Sequence, residues 1–278
     1  MVLKQINLTL QINFFVNNHP DFSISDSHHH FLLANCRSVI SKIDDVRATC
    51  STISPLIFAC TESWLDSSKH SDNDVFVPNY SALRNDRPNR RGGGVALWIK
   101  SNCNFTRFTI PNSPDVMEYV CIALNSLKLI FLCAYIPPSQ PVDTCIQISD
   151  FIVNICDHIL SLHANYDICI CADFNQFNVT QICTALDLVD IDSPPTLGLN
   201  RLDRFLCSAN IAYRVNCAGG APISDSDHSS LICTLIDCSR HTHNCKINTV
   251  YDLRPSFVNR FLVSLNNVNW DFIKSDLM

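Results

Sequence analysis

Five times in this chain a short apolar run adjoins a single polar side chain, and this recurrence constrains the fold more than any other feature. The runs are FLLAN ending at Asn35, LIFACTE at Glu62, LIFLCAY at Tyr135 and DICICAD at Asp173; the fifth is SDSDH, whose His228 leads into SSLICTLI. Strands apolar at nearly every position are those covered on both faces. Polar groups at their ends line one rim of a sheet, which is where α/β proteins build their sites.

The intervening sequence supplies helices. Between Cys145 and Asn165 the apolar residues Ile148, Phe151, Ile152, Ile155, Ile159 and Leu162 recur at three- and four-residue steps, the signature of an amphipathic helix. A second helix is expected to open at Ser41, with Asp44 three residues on as a capping-box-like start and Ile43, Val46 and Ile53 on its apolar side. Further strands are expected at Leu56–Cys60, Val95–Ile99, Val120–Leu124 and Leu129–Tyr135, the last two close enough to pair as a hairpin. Strands alternating with helices predict an α/β layered domain. We place it at 31–237, after a polar leader (1–30) that ends in three histidines and before a polar segment (238–278). The His run could be argued as a tag or metal site; a solvated leader is the simpler reading.

Composition bounds the function. With 278 residues, 47% of them hydrophobic, the chain can bury a sizeable core, and its net charge of −6 gives no global basic field, so nucleic-acid binding must come from a local patch. Its sixteen cysteines do not suggest a disulfide scaffold, because a core of this size needs no staples. The N-terminal MVLKQINLTLQINFF is broken by Lys4, Gln5, Asn7, Gln11 and Asn13, unlike a signal peptide, and Leu129–Ile136 is too short to span a membrane. The expectation is an intracellular protein with reduced thiols and no membrane partner.

The polar residues fall in an order that resembles the endonuclease/exonuclease/phosphatase superfamily, and within it the endonuclease domain of jockey-like LINE (non-LTR) retrotransposons. Asn35 stands in NCRSV, Glu62 in TESWL, Tyr135 in YIPP, Asp173 and Asn175 in ADFN, Asp203 in RLDRFLCS, and Ser226, Asp227 and His228 in the closing Ser-Asp-His, with GGGVALWIK between the second and third. The resemblance covers about Leu32 to Ile236 and implies a DNase I-like fold, a four-layer sandwich of two sheets between helices. It implies that Glu62, Asn35 and Asp227 hold a divalent metal and that Tyr135 and Asn175 contact the scissile phosphate. It further implies that Asp173 orients or deprotonates the attacking water, and that Asp203 pairs with His228, which stabilises the developing charge.

Residue chemistry supports the same picture. Converging carboxylates at about 4 Å repel by roughly 4 kcal/mol at an effective dielectric of about 20, and only a cation makes such a cluster tolerable. Oxygen ligands suit a hard ion, Mg²⁺ with Mn²⁺ as a substitute. Arg84, Arg87, Arg90 and Arg91 crowd RNDRPNRRGGG, which reads either as a solvated turn or, by the resemblance, as a phosphate-contacting loop. The glycine run lacks the strand–loop–helix context and the Gly-Lys-Ser/Thr of a nucleotide loop. Thr196, in SPPTLG, and Ser226 are read as phosphate contacts by the resemblance.

Ala172 departs from the family's glycine, and an added methyl there is expected to lower activity if the backbone needs unusual torsions. Cys60, Cys133 and Cys171 each stand two residues before a site residue, so strand parity puts them on the same face one rung deeper, as core thiols. A zinc site from Cys238, His241, His243 and Cys245 is disfavoured by its tight spacing. Three functions remain: a Mg²⁺-dependent DNA endonuclease that nicks a chromosomal target in the nucleus, another phosphoesterase of the same fold, or a catalytically dead DNA-binding remnant. The first implies DNA as partner, and a reverse transcriptase domain and element RNA in a full-length protein. YDLRPSFVNRFLVSLNNVNWDFI looks like a connector toward that polymerase, which would make the chain a fragment, a truncated copy or a separate product.

Overall fold

The computed structural model describes residues 28–87, 92–110 and 113–236. In chain order the strands are β1 (His28–Asn35), β2 (Ile57–Thr61), β3 (Tyr80–Asn85), β4 (Val95–Lys100), β5 (Phe105–Phe108), β6 (Glu118–Leu124), β7 (Leu129–Tyr135), β8 (Asp167–Asp173), β9 (Leu188–Asp190), β10 (Asp203–Ser208), β11 (Val215–Gly220) and β12 (Ser230–Ile236). The helices are α1 (Ile43–Ile53), α2 (Val142–Leu162), α3 (Thr180–Leu186) and α4 (Ala209–Ala212).

The strands form two six-stranded sheets, ordered β11-β12-β1-β2-β4-β3 and β5-β6-β7-β8-β10-β9. Each has one parallel pair at its centre, β1–β2 and β7–β8, and the remaining pairs are antiparallel. Parallel neighbours need a crossover, and α1 and α2 supply the two. β6 and β7 pair antiparallel from Glu118–Tyr135 to Leu124–Leu129, the expected hairpin.

Alternation along each strand divides the apolar residues into three layers. Phe31, Leu33, Ile57, Ala59, Phe131 and Phe205 pack between the sheets. Leu32, Ala34, Phe58 and Trp98 face outward and are covered by Val46, Cys50 and Ile53 of α1. Ile130, Leu132, Ile168 and Ile170 are covered by Ile148, Ile152, Ile155 and Ile159 of α2. A sheet covered on both faces has no polar face to show, which is why these strands read as continuous apolar runs. The result is a four-layer α/β sandwich.

Several local expectations differ. β1 begins at His28, so the three histidines belong to the sheet and not to the leader; His30 is buried, its Nδ1 3.0 Å from Thr234 Oγ1. Ser41 does not cap α1: it lies in a 3-10 turn, Ile40–Lys42, the helix follows without a side-chain cap, and Asp44 instead pairs with Arg47 at 2.8 Å. Leu162, expected on the apolar face of α2, is exposed. By length and composition α2 could cross a membrane, but half of it is buried in this fold. Among the described residues every cysteine is a free thiol. Arg90, Arg91, the Cys238–Cys245 group and the connector segment lie outside the described residues.

Candidate active site

Both parallel pairs end at the same rim. Asn35 stands opposite Thr61 at the end of β1–β2, Tyr135 opposite Asp173 at the end of β7–β8, and Asp203, opening antiparallel β10, opposite Asp173. Parity accounts for their direction: Asn35 follows the inner positions Phe31 and Leu33, Asp173 follows Cys169 and Cys171, and Asp203 precedes Phe205 and Cys207. Each side chain therefore continues the inter-sheet layer to its polar edge, where Asn35, Asp173 and Asp203 are almost fully buried.

Glu62 does not follow this rule. Alternation would group it with Cys60, which packs in the outer layer beneath α1, so the expected placement of Cys60 beside the site residues is wrong. Cys133 and Cys171 do lie between the sheets. Just past β2 the backbone at Glu62 turns left-handed, φ 48°, which breaks the alternation. Asn175, just past β8, does the same at φ 50°. Such torsions are costly for residues with a Cβ and persist where surrounding bonds hold them.

Those bonds form one network. Asn35 Nδ2 donates to Glu62 Oε1 at 3.0 Å and to Asp173 Oδ2 at 2.9 Å, joining the two sheets. Trp64 Nε1 donates to Glu62 Oε2 at 3.1 Å, and the Arg37 N–H to Asn35 Oδ1 at 3.2 Å. The Asn175 N–H donates to Asp173 Oδ1 at 3.1 Å, while its side-chain amide donates to the Ile136 carbonyl at 2.9 Å. His228 Nδ1 lies 2.7 Å from Asp203 Oδ2; a carboxylate only accepts, so this nitrogen carries the proton.

The charges are crowded. One ligand atom each from Asp173, Asp203 and His228 falls within a 4.8 Å group. Burial, then the Asp203 charge, pushes the Asp173 carboxyl up to about 7, against an opposing pull from His228. Burial alone would lower His228, but its hydrogen bond to Asp203 and the surrounding carboxylates outweigh that and raise it. Burial, followed by the charges of Glu62 and Asp173, raises Tyr135, so its phenol stays protonated. Asp203 Oδ1 is buried with no hydrogen-bond partner. An orphaned carboxylate oxygen beside a repelled carboxylate, with Glu62 and Asn35 adjoining, is a donor set that fits a hard divalent cation.

Other expected site residues sit differently. Asp227 is half-exposed and paired with Arg37 at 2.5 Å, so it is engaged outside the carboxylate group. Arg84 lies on β3, not in the loop, and is locked to Asp86 at 2.5 Å, to the His70 carbonyl at 3.0 Å and to Asp72 at 3.4 Å. Arg87 reaches the site, its guanidinium 5.4 Å from the Tyr135 ring centroid and paired with Glu118 at 2.7 Å.

Thr196 and Ser226, expected by the resemblance to contact phosphate, are buried and bonded to backbone. Thr196 Oγ1 accepts from the Asp203 N–H at 3.2 Å, and Ser226 Oγ donates to the Asn35 carbonyl at 2.6 Å. Ala172 has no left-handed torsion and its methyl packs in the outer layer, so the structure gives no reason for a glycine there. Glu118 is not among the motif residues, and Trp64 enters only as the Trp of TESWL. The signal for Glu118 was a charged residue heading the apolar strand EYVCIAL, and its position opposite Tyr135 explains it.

No family model and no curated protein matches the sequence. Solved structures do match. The AP endonuclease LMAP from Leishmania major aligns with 78% of this chain and 90% of its own, at 14% identity and a TM-score of 0.61. Truncated Caenorhabditis elegans TDP2 aligns with 77% of this chain and 100% of its own, at 13% identity and a TM-score of 0.57. The chain thus shares the fold of these structures, a DNase I-like α/β sandwich of two sheets. The endonuclease domain of TRAS1, a telomere-specific non-LTR retrotransposon, is among the matches, covering 76% of this chain and 99% of its own at 11% identity and a TM-score of 0.55.

Proposed function

We propose that this protein is a divalent-metal-dependent endonuclease of the LINE retrotransposon kind, hydrolysing one phosphodiester bond of a chromosomal target. The observation that carries the reading is the convergence of Asn35, Glu62, Asp173, Asp203 and His228 at one rim through bonds within and between the sheets. The retrotransposon assignment is supported by the motif order and by the TRAS1 likeness. A chromosomal substrate implies a nuclear site of action, and a full-length protein would bring a reverse transcriptase and element RNA.

Asp173, held near 7, is poised to take a proton from an attacking water at working pH. Asn175 fixes its rotation through the backbone N–H. The neutral Tyr135 phenol donates toward a phosphate oxygen, and Arg87 against its ring adds positive charge, braced by Glu118. His228, whose hold on a proton Asp203 strengthens, stabilises charge as it develops on the phosphoryl group. A divalent cation, Mg²⁺ by the oxygen donor set, would be held by Glu62 and Asn35 and would polarise the phosphoryl oxygen. A groove of about 980 Å³ lined by Arg37, Trp64, Lys69 and Arg87 gives the strand a path beside Glu62's partner Trp64.

The test is incubation with supercoiled plasmid and Mg²⁺. The expected product is a nicked circle with a 3′-hydroxyl, absent in EDTA and in Glu62→Gln. Glu62→Gln should also lose the rise in Tm that Mg²⁺ gives the wild type. No nick at any divalent cation would overturn the reading.

A further inference from the structure

We infer that Thr196 is a positioning residue that sets the Asp203–His228 pair; the inference rests on the nuclease reading above. The pair spans the two sheets: Asp203 opens β10 in one, and His228 stands two residues before β12 in the other. Their 2.7 Å bond therefore depends on the alignment of the sheets at this rim.

Thr196 bonds to both sides of that alignment. Its Oγ1 accepts from the Asp203 N–H at 3.2 Å, and its carbonyl accepts from the N–H of Ser229, the neighbour of His228, at 2.8 Å. Thr196 is itself held by a tight turn. Its N–H donates to the Asn200 carbonyl at 2.9 Å, the Leu197–Asn200 bridge closes the turn, and Gly198 supplies its left-handed φ of 59°. A hydroxyl 3.2 Å from a buried backbone N–H and shut away from solvent serves the protein, not a phosphate. One short segment thus fixes the carboxylate through its own N–H and the imidazole through the next residue.

Thr196→Val keeps the shape and removes the acceptor; Thr196→Ser keeps the acceptor. Thr196→Val should lower kcat for plasmid nicking roughly 10- to 100-fold, the effect of a small misplacement of reacting groups, with KM unchanged. Thr196→Ser should restore kcat. On a His228→Ala background Thr196→Val should cause no further loss, because it acts through that imidazole. The imidazole NMR spectrum of the metal-free protein reads the same alignment without activity. The downfield proton on His228 Nδ1 should move or vanish in Thr196→Val and persist in Thr196→Ser. Unchanged kcat in Thr196→Val, an equal loss in Thr196→Ser, or a full additional loss on the His228→Ala background overturns the inference. If the wild type does not nick, the nuclease reading falls by itself, and an imidazole spectrum unaltered by Thr196→Val overturns the positioning separately.

Discussion

Replacing Asp173 by Asn should make the metal-free protein more stable at alkaline pH while abolishing its activity. Burial and the Asp203 charge raise the carboxyl from 3.8 to about 7 in the fold; the unfolded chain returns it to about 4. A folded value above the unfolded one means that the folded state binds the proton more tightly. Stability is therefore full below about pH 4, declines between about 4 and 7, and levels off above. A shift of this size corresponds to about 4 kcal/mol at about 1.4 kcal/mol per pH unit. Two like charges about 5 Å apart at an effective dielectric of about 20 repel by about 3 kcal/mol, which is the same order.

Asn carries no charge to be penalised, but its single oxygen can keep only one of the bonds that Asp173 accepts from Asn35 and Asn175. That loss costs about 1–2 kcal/mol. The variant should thus exceed wild type by about 2–3 kcal/mol at pH 8 and match or fall slightly below it at pH 4.5. Urea unfolding in EDTA at both pH values, followed by circular dichroism, measures the difference. Nicking should fall at least about 100-fold, since the amide cannot take the proton. A stability difference independent of pH would refute the charge argument, and wild-type nicking would refute the role of Asp173.

Asp203→Ala and His228→Ala should each lower kcat strongly and be non-additive, because a carboxylate holding an imidazolium acts with it as a unit; a double loss equal to the product of the single losses would show independence. Arg84→Ala should lower Tm yet leave the salt dependence of DNA binding unchanged, since Arg84 is locked to Asp86 and Asp72. Replacing Arg90 and Arg91 together should flatten that dependence if their loop contacts phosphate, and an unchanged slope would return the loop to a solvated turn. A chain ending at Asp237 should keep its fold and nicking, because Ser230–Ile236 of β12 already pairs with both of its neighbours; unfolding on that truncation would put the following segment inside the domain.

Much of this protein is written locally. The central strands of both sheets are legible because burial on both faces demands apolar residues at nearly every position, and α2 because one covered face demands three- and four-residue spacing. The edges are not. β5 and β9 are short and partly exposed, and β3 has only Tyr80 buried, so their patterns carry little periodicity. Asn35, Tyr135 and Asp173 stand out as the polar ends of apolar runs, whereas Asp203 is reached only through the motif resemblance.

What each polar group does could not be read that way, because its partner is distant in the chain. Asn35 meets Asp173 138 residues on, Arg87 meets Glu118 31 residues on, and Ser226 bonds back to Asn35 across 191. Four arginines in one stretch look alike as sequence; the fold spends Arg84 on Asp86 and brings Arg87 to Tyr135. Thr196 and Ser226 look like loop hydroxyls until the sheets close and bury them. The sequence by itself determined the central strands, the long covering helix and the strand-end residues Asn35, Tyr135 and Asp173, since those follow from local alternation and burial; the turn at Glu62, which breaks the alternation, did not. Tertiary structure alone decided which of them share a proton, an ion pair or a backbone bond, because those depend on distances across two sheets that no local pattern records.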